Sequence, residues 1–134
     1  MASQGPGKDA PAFRVIDQGA YGAVQEPGEE LVADARALEA LWNKLYATQT
    51  PRPPLPAIDF GKETVAAIYM GQRSTGGNAI SVKSVAVAGA TATVRVVEET
   101  PPRGGFVTMA LTAPYVVIAI AKGPTRLAVD RAGR

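Results

Sequence analysis

Neither His nor Cys occurs among the 134 residues of the chain. Their absence excludes Ser-His-Asp and Cys-His nucleophilic systems, acid–base catalysis by imidazole, and zinc or copper sites built on imidazole or thiolate ligands. Any chemistry would have to come from carboxylates, hydroxyl groups, Lys, Arg or Tyr. We therefore expect a protein that binds no metal and no cofactor and is not an enzyme.

The remaining combinations of reactive groups are not brought together by their spacing. Glu98 and Glu99 are adjacent in a predicted strand and point to opposite faces, so they cannot form a carboxylate dyad. Ser74 could act as a nucleophile only if the fold placed Lys62 or Lys83 beside it. A minimal hydrolase is therefore the least favoured function.

A glycine-flanked loop is the first candidate binding site. Arg73, Ser74 and Thr75 precede the pair Gly76-Gly77. Glycine tolerates positive φ, so this loop could present successive N–H groups beside a fixed cation. That geometry suits a carboxylate, such as a chain terminus or an acidic side chain of a partner. The alternative is a tight turn whose arginine pairs internally or reaches solvent.

A second candidate is the Thr-containing segment that ends at Pro114 and Tyr115. It could line a groove next to the loop, with Tyr115 offering an aromatic face and a hydroxyl. The alternative is that Tyr115 is a core residue with a satisfied hydroxyl. The candidate partner-binding residues are Arg73, Ser74, Thr75, Gly76, Gly77, Thr108, Thr112, Pro114 and Tyr115.

One helix and several strands must position these residues. Asp34 is a suitable N-cap, and an apolar stripe at helical spacing follows it and predicts a helix that packs on a sheet and ends before Pro51. The stripe consists of Leu38, Leu41, Trp42 and Leu45. Apolar or alternating runs predict strands. The run of 63–70 should be buried on both faces or be a central strand under the helix, and 115–121 should be another buried strand. The predicted strands are 13–17, 30–33, 63–70, 79–87, 91–100, 115–121 and 125–129.

Short turns connect most of these strands. Gly89 lies in a tight hairpin between 79–87 and 91–100. The apolar phase of the first strand indicates either a bulge near Ser84 or cover on both of its faces. The last strand is expected to return beside 115–121. The sequence therefore predicts an α+β fold in which one amphipathic helix packs on a mainly antiparallel sheet or a partly open β-roll or barrel.

The composition and the charge pattern limit the kinds of partner and location that we expect. Basic and acidic residues, 14 and 12 in number, are spread along the chain, which disfavours a nucleic-acid partner. No run reaches the roughly 18 apolar residues of a transmembrane segment. We expect residues 1–12 to be a flexible N-terminal linker or an expression remnant and 13–134 to form a single domain. Zero cysteines fit the cytoplasm and, if an export signal was removed, an extracytoplasmic location.

Two segments resemble a known family. Asp59-Phe60 leads into a strand and the loop 71–77, and Val107-Thr108-Met109-Ala110-Leu111-Thr112-Ala113-Pro114-Tyr115 follows later. Together they resemble the C-terminal domain of the PrcB family, accessory subunits of bacterial protease complexes, over residues 24–129. The resemblance implies a non-catalytic domain of envelope or secreted proteins that associates with a protease subunit and supports its stability. The chain differs from the family pattern at Asn78, Met109 and Val116.

The predicted function is therefore a non-catalytic interaction module that binds or stabilises a protein or peptide, with a secreted protease as the partner that the resemblance implies. A small-ligand or glycan-binding domain is the alternative, and it would require a deep pocket with convergent polar groups. A homodimer could also form through a sheet edge.

Overall fold

A computed structural model describes residues 12–102 and 104–133, which form one helix and seven strands. The elements are β1 (Phe13–Gly19), β2 (Gly28–Val32), α1 (Ala35–Leu45), β3 (Glu63–Tyr69), β4 (Ala79–Ala88), β5 (Thr91–Glu99), β6 (Tyr115–Ala121) and β7 (Arg126–Gly133). The predicted α+β class is confirmed. Of the predicted linker 1–12, all but Ala12 lies outside the described residues.

The strands form two sheets that are mostly antiparallel. The larger has the order β1-β6-β3-β2 and the smaller has the order β4-β5-β7, in which β5 and β7 are parallel. The prediction that the last strand returns beside β6 is wrong. Both edges of β6 are already paired, with β1 and β3, so β7 has no edge to join there. Instead, the N–H groups of Thr125 and Arg126 donate to the Ala90 carbonyl just before β5, and from there β7 runs along β5.

The larger sheet is the middle layer, between α1 and the smaller sheet. In β3, Ala66 and Ile68 belong to the core between the sheets, whereas Val65, Ala67 and Tyr69 belong to the core under the helix. Each layer covers one face of the strand, which explains the continuous apolar run. The two alternatives predicted for β3 therefore hold together, because it is buried on both faces and lies under the helix, and the prediction that β6 is a buried strand is confirmed.

The helix begins where its cap residue predicts. An Asp34 side-chain oxygen accepts the N–H of Ala37 at 2.8 Å, which satisfies one of the free donors of the first turn. The predicted stripe is the buried face of α1 and packs on the larger sheet. None of the helices in the described ranges has the length and apolarity needed to span a membrane.

The hairpin of β4 and β5 also follows the prediction. Gly89 has φ +60°, a left-handed conformation that glycine adopts without a steric cost. The register shifts between Val82 and Ser84, so a bulge lies where the apolar phase changes. After it, Val85 points into the core and is buried.

Side chains connect the two sheets at their flanks, where the backbone ladder does not continue. On one flank, Gln18 of β1 donates its side-chain amide to the Ile80 carbonyl at 2.8 Å. On the other, Arg131 of β7 reaches the carbonyl oxygens of Gly28 and Tyr69. The sheets therefore form a roll that is not closed, with one helix on its outer side.

Candidate functional site

The structure brings the two predicted segments together side by side. Arg73 and Thr112 exchange both backbone hydrogen bonds, at 2.7 and 2.9 Å. Farther along, the Gly76 N–H donates to the Thr108 carbonyl at 2.8 Å, and the Thr112 hydroxyl donates to the Thr75 carbonyl at 2.9 Å. These bonds fix the segment of Thr108 to Thr112 against the loop.

The glycine-flanked loop is a tight turn held from within. Gly77 has φ +82°, and Asn78 is buried with its side-chain amide donating to the Thr75 carbonyl at 2.7 Å. The N–H groups of Arg73 and Gly76 are occupied by carbonyl oxygens of the neighbouring segment. Ser74 is exposed, and no hydrogen bond joins it to a lysine within the described ranges.

Pro114 and Tyr115 lie apart from this loop, inside the protein. Tyr115 is 6% exposed and packs in the core under the helix. Its hydroxyl lies 3.1 Å from that of Tyr46 and 3.4 Å from an Asp17 carboxylate oxygen, which also accepts the Tyr46 hydroxyl. Pro114 is buried, and its carbonyl accepts the Met70 N–H at 2.9 Å.

Burial raises the pKa of both Tyr46 and Tyr115, and the neighbouring Asp17 carboxylate raises each further. Both phenols therefore stay protonated at neutral pH and act as hydrogen-bond donors, not as bases. Their cluster joins β1, the end of α1 and the start of β6, so its role in the described structure is to hold these elements together.

An exposed apolar surface accompanies the Thr108 to Thr112 segment, and sequence reasoning missed it. Phe106, Met109 and Leu111 are 107%, 79% and 67% exposed. Val107 is also exposed, and so is Tyr21, which bridges Ala113 at the end of the same segment. We call these five side chains the 106–111 surface: Phe106, Val107, Met109, Leu111 and Tyr21. The signal for it was five apolar residues among the six positions 106–111, which no predicted strand included.

A charged cleft lies on the other side of Arg73. It has a volume of about 360 Å³ and is bounded by the start of β2 and the ends of β3, β5 and β7. Arg73, Arg131, Glu29 and Glu98 contribute its charges. A second open cleft of about 320 Å³ lies near β1, where Arg14 and Glu63 form an ion pair at 2.9 Å.

The described residues include no group of three or more carboxylates placed to hold a metal ion.

A further cluster of charged side chains, around Glu30, connects α1 to the larger sheet. Lys44 and Tyr69 both donate to Glu30, each at 2.5 Å. Burial alone would raise the pKa of Glu30, but these two hydrogen bonds and the lysine charge outweigh it and hold the pKa below its ordinary value of 4.5.

Taken together, the fold and these surfaces define a small α+β domain whose two predicted binding segments form one continuous unit beside an exposed apolar surface. Residues 64–121 match the family described as PrcB C-terminal, which confirms the resemblance to that family. The match extends from β3 to the end of β6 and includes both segments. No curated protein and no solved structure matches the chain.

Proposed function

We propose that this domain is a non-catalytic interaction module that binds and stabilises a partner protein through the 106–111 surface. The observation that carries the proposal is the exposure of Phe106, Met109 and Leu111 within one short segment. Single exposed apolar residues are ordinary, but a contiguous exposed apolar patch is typical of a site that a protein partner covers.

The surface contains enough apolar side chain to support specific binding. Full burial of a Phe, Leu or Met side chain contributes on the order of 1.5–3 kcal/mol. Phe106, Met109 and Leu111 together could supply most of the energy of a small interface, from which the loss of overall motion is subtracted. Aromatic residues and Met are also the types enriched in interface centres.

The match to the PrcB C-terminal family supports a more specific partner. We propose that the partner is a bacterial protease subunit, which this domain stabilises as an accessory module. In this proposal the loop of Arg73 to Gly77 is a support for the apolar segment. Its backbone bonds to Thr108 and Thr112 hold the segment at the surface, where a partner can reach it.

Affinity capture tests the proposal directly. The tagged protein is incubated with an extract of the source organism, and recovered proteins are quantified by mass spectrometry. The double variant Met109→Asp/Leu111→Asp should lower recovery of the specific partner at least tenfold, because two charges enter an apolar interface. Val87→Asp is the matched control, since Val87 is an exposed apolar residue of β4, outside the surface.

The control variant should recover the partner as well as the wild-type protein does. Equal recovery by the wild-type protein and the double variant would remove the 106–111 surface from the mechanism. The recovered partner should be a protease subunit, and recovery of a different class of protein would contradict that part of the proposal while leaving the interaction role standing.

A further inference from the structure

The charged cleft beside Arg73 is lined by the kinds of residue that bind small charged ligands. It lies where β2 begins and where β3, β5 and β7 end, with Gly28, Met70 and both arginines among its walls. Its volume of about 360 Å³ falls in the range of small-ligand pockets. No residue of the 106–111 surface lines it, so it is separate from the proposed protein-binding surface.

One of the two arginines is fully engaged. Arg131 donates to Glu98 at 2.5 Å and to Glu29 at 3.2 Å, and it also reaches two backbone carbonyl oxygens. It therefore joins the smaller sheet to β2 and has little capacity left for a ligand. Two carboxylates share this one cation, so that wall of the cleft keeps an excess of negative charge.

The side chain of the other arginine has no partner among the residues that the structure describes. Arg73 is half-buried and lines the cleft, yet its guanidinium makes no hydrogen bond or ion pair with any described residue. Its backbone is fixed, because its N–H and carbonyl are both bonded to Thr112. A guanidinium held in this way offers two parallel donors to a planar anion at little further cost in backbone ordering.

We infer that the cleft binds a monocarboxylate, which the guanidinium of Arg73 holds in a bidentate pair. The excess negative charge at Glu29 and Glu98 selects against phosphate, sulfate and dicarboxylates, since a second negative charge would face these two side chains. The carboxylate could be the end of a peptide chain, an acidic side chain or a small free acid. This inference does not depend on the proposed protein-binding function.

Nuclear magnetic resonance titration of the ¹⁵N-labelled protein tests it. Three probes represent the three sources: N-acetylalanine for a chain end, N-acetylglutamic acid α-amide for a side chain, and acetate for a small acid. N-acetylalaninamide and sulfate serve as the uncharged and doubly charged controls. At least one monocarboxylate should cause saturable shifts in the amide signals of Gly28, Met70 and Arg73, and the tightest probe identifies the source.

Two variants test the role of the guanidinium. Arg73→Gln should weaken binding of the best probe at least tenfold. Arg36→Gln makes the same charge change at an exposed position of α1 and should leave the affinity unchanged. The backbone bonds of Arg73 do not require its side chain, and Arg73→Lys provides a second variant that keeps the charge and loses the bidentate geometry. It should bind less tightly than the wild-type protein.

The absence of a saturable shift with all three monocarboxylates would overturn the inference. Equal affinity in the wild-type protein and in Arg73→Gln would also overturn it, as would equal responses to N-acetylalanine and its amide. Sulfate binding as tight as that of the best monocarboxylate would show only general attraction of anions to a surface cation, and it would reject the site.

Discussion

Substitutions at two methionines, one buried and one exposed, allow effects on stability and on binding to be measured separately. Met70 is 2% exposed in the core between the sheets, whereas Met109 is 79% exposed on the 106–111 surface. Replacing either by alanine removes the same atoms. In a packed core this change costs about 2–5 kcal/mol, because contacts are lost and a cavity remains. About a fifth of Met109 is covered, so a full-burial contribution of 1.5–3 kcal/mol scales to about 0.3–0.6 kcal/mol there.

Urea unfolding followed by tryptophan fluorescence measures both costs. Trp42 is the only tryptophan and is buried between α1 and the larger sheet, so its emission reports loss of the core. With a slope of about 2 kcal/mol per molar urea, Met70→Ala should lower the midpoint by about 1–2.5 M and Met109→Ala by about 0.3 M or less. In the capture experiment Met109→Ala should weaken partner recovery although its stability is nearly unchanged.

A midpoint for Met109→Ala that falls by 1 M or more would refute this reasoning. Such a loss would mean that Met109 packs against the protein, and the surface would then belong to the core. Equal midpoints for Met70→Ala and the wild-type protein would be equally damaging, because they would place the space between the sheets outside the folded core.

Three other predictions concern packing, charge and pH. Gly22→Ala should lower stability by about 1–3 kcal/mol, because a Cβ there would lie 2.8 Å from the Tyr115 ring. A Cβ at Gly28 meets open space, so Gly28→Ala should change stability by about 0.5 kcal/mol at most. Equal urea midpoints for the two variants would contradict this. Arg131→Gln should lower stability by about 1–3 kcal/mol in the same assay, since it leaves Glu29 and Glu98 without their cation. An unchanged midpoint would show that the Arg131 contacts between the two sheets contribute nothing to stability. The lowered pKa of Glu30 stabilises the folded state above pH 4.5, and this contribution is lost as the pH falls through the folded pKa. Glu30→Gln should therefore flatten the decline of the midpoint between pH 5 and pH 3 relative to the wild-type protein, and parallel declines would exclude this role.

Features that depend on neighbouring residues could be predicted from the sequence. The cap at Asp34 and the stripe from Leu38 to Leu45 define α1 because capping and helical spacing are local properties. The positive φ of Gly89 and the bulge after Val82 follow in the same way from the residues around them. The continuous apolar run of β3 predicts cover on both faces, although it does not say which element supplies each cover.

The strand neighbours of β7 and the partner of the loop could not be predicted in this way. Whether β7 joins β6 or β5 depends on which strand edges remain free after the larger sheet has formed. The residues of β7 themselves do not indicate which edges are free. The pairing of Arg73 with Thr112 joins residues far apart in the chain through backbone atoms, which every residue possesses. The 106–111 surface was missed for a related reason, since an apolar residue is usually buried and only the folded arrangement of the described residues shows that Met109 is exposed.

The polar and apolar parts of the site have different physical roles, and the first makes the second effective. A segment of exposed apolar residues without support would sample many conformations, and a partner would have to order it on binding. Here Thr108 and Thr112 are bonded at both ends of the segment to a loop that Asn78 and Gly77 hold in one conformation. In the proposed interaction, a partner would therefore meet apolar side chains on a backbone that is already ordered, so a larger share of the burial energy would remain as affinity. Removing the loop bonds should then weaken the proposed binding, and the capture experiment would detect this as lower recovery of the partner.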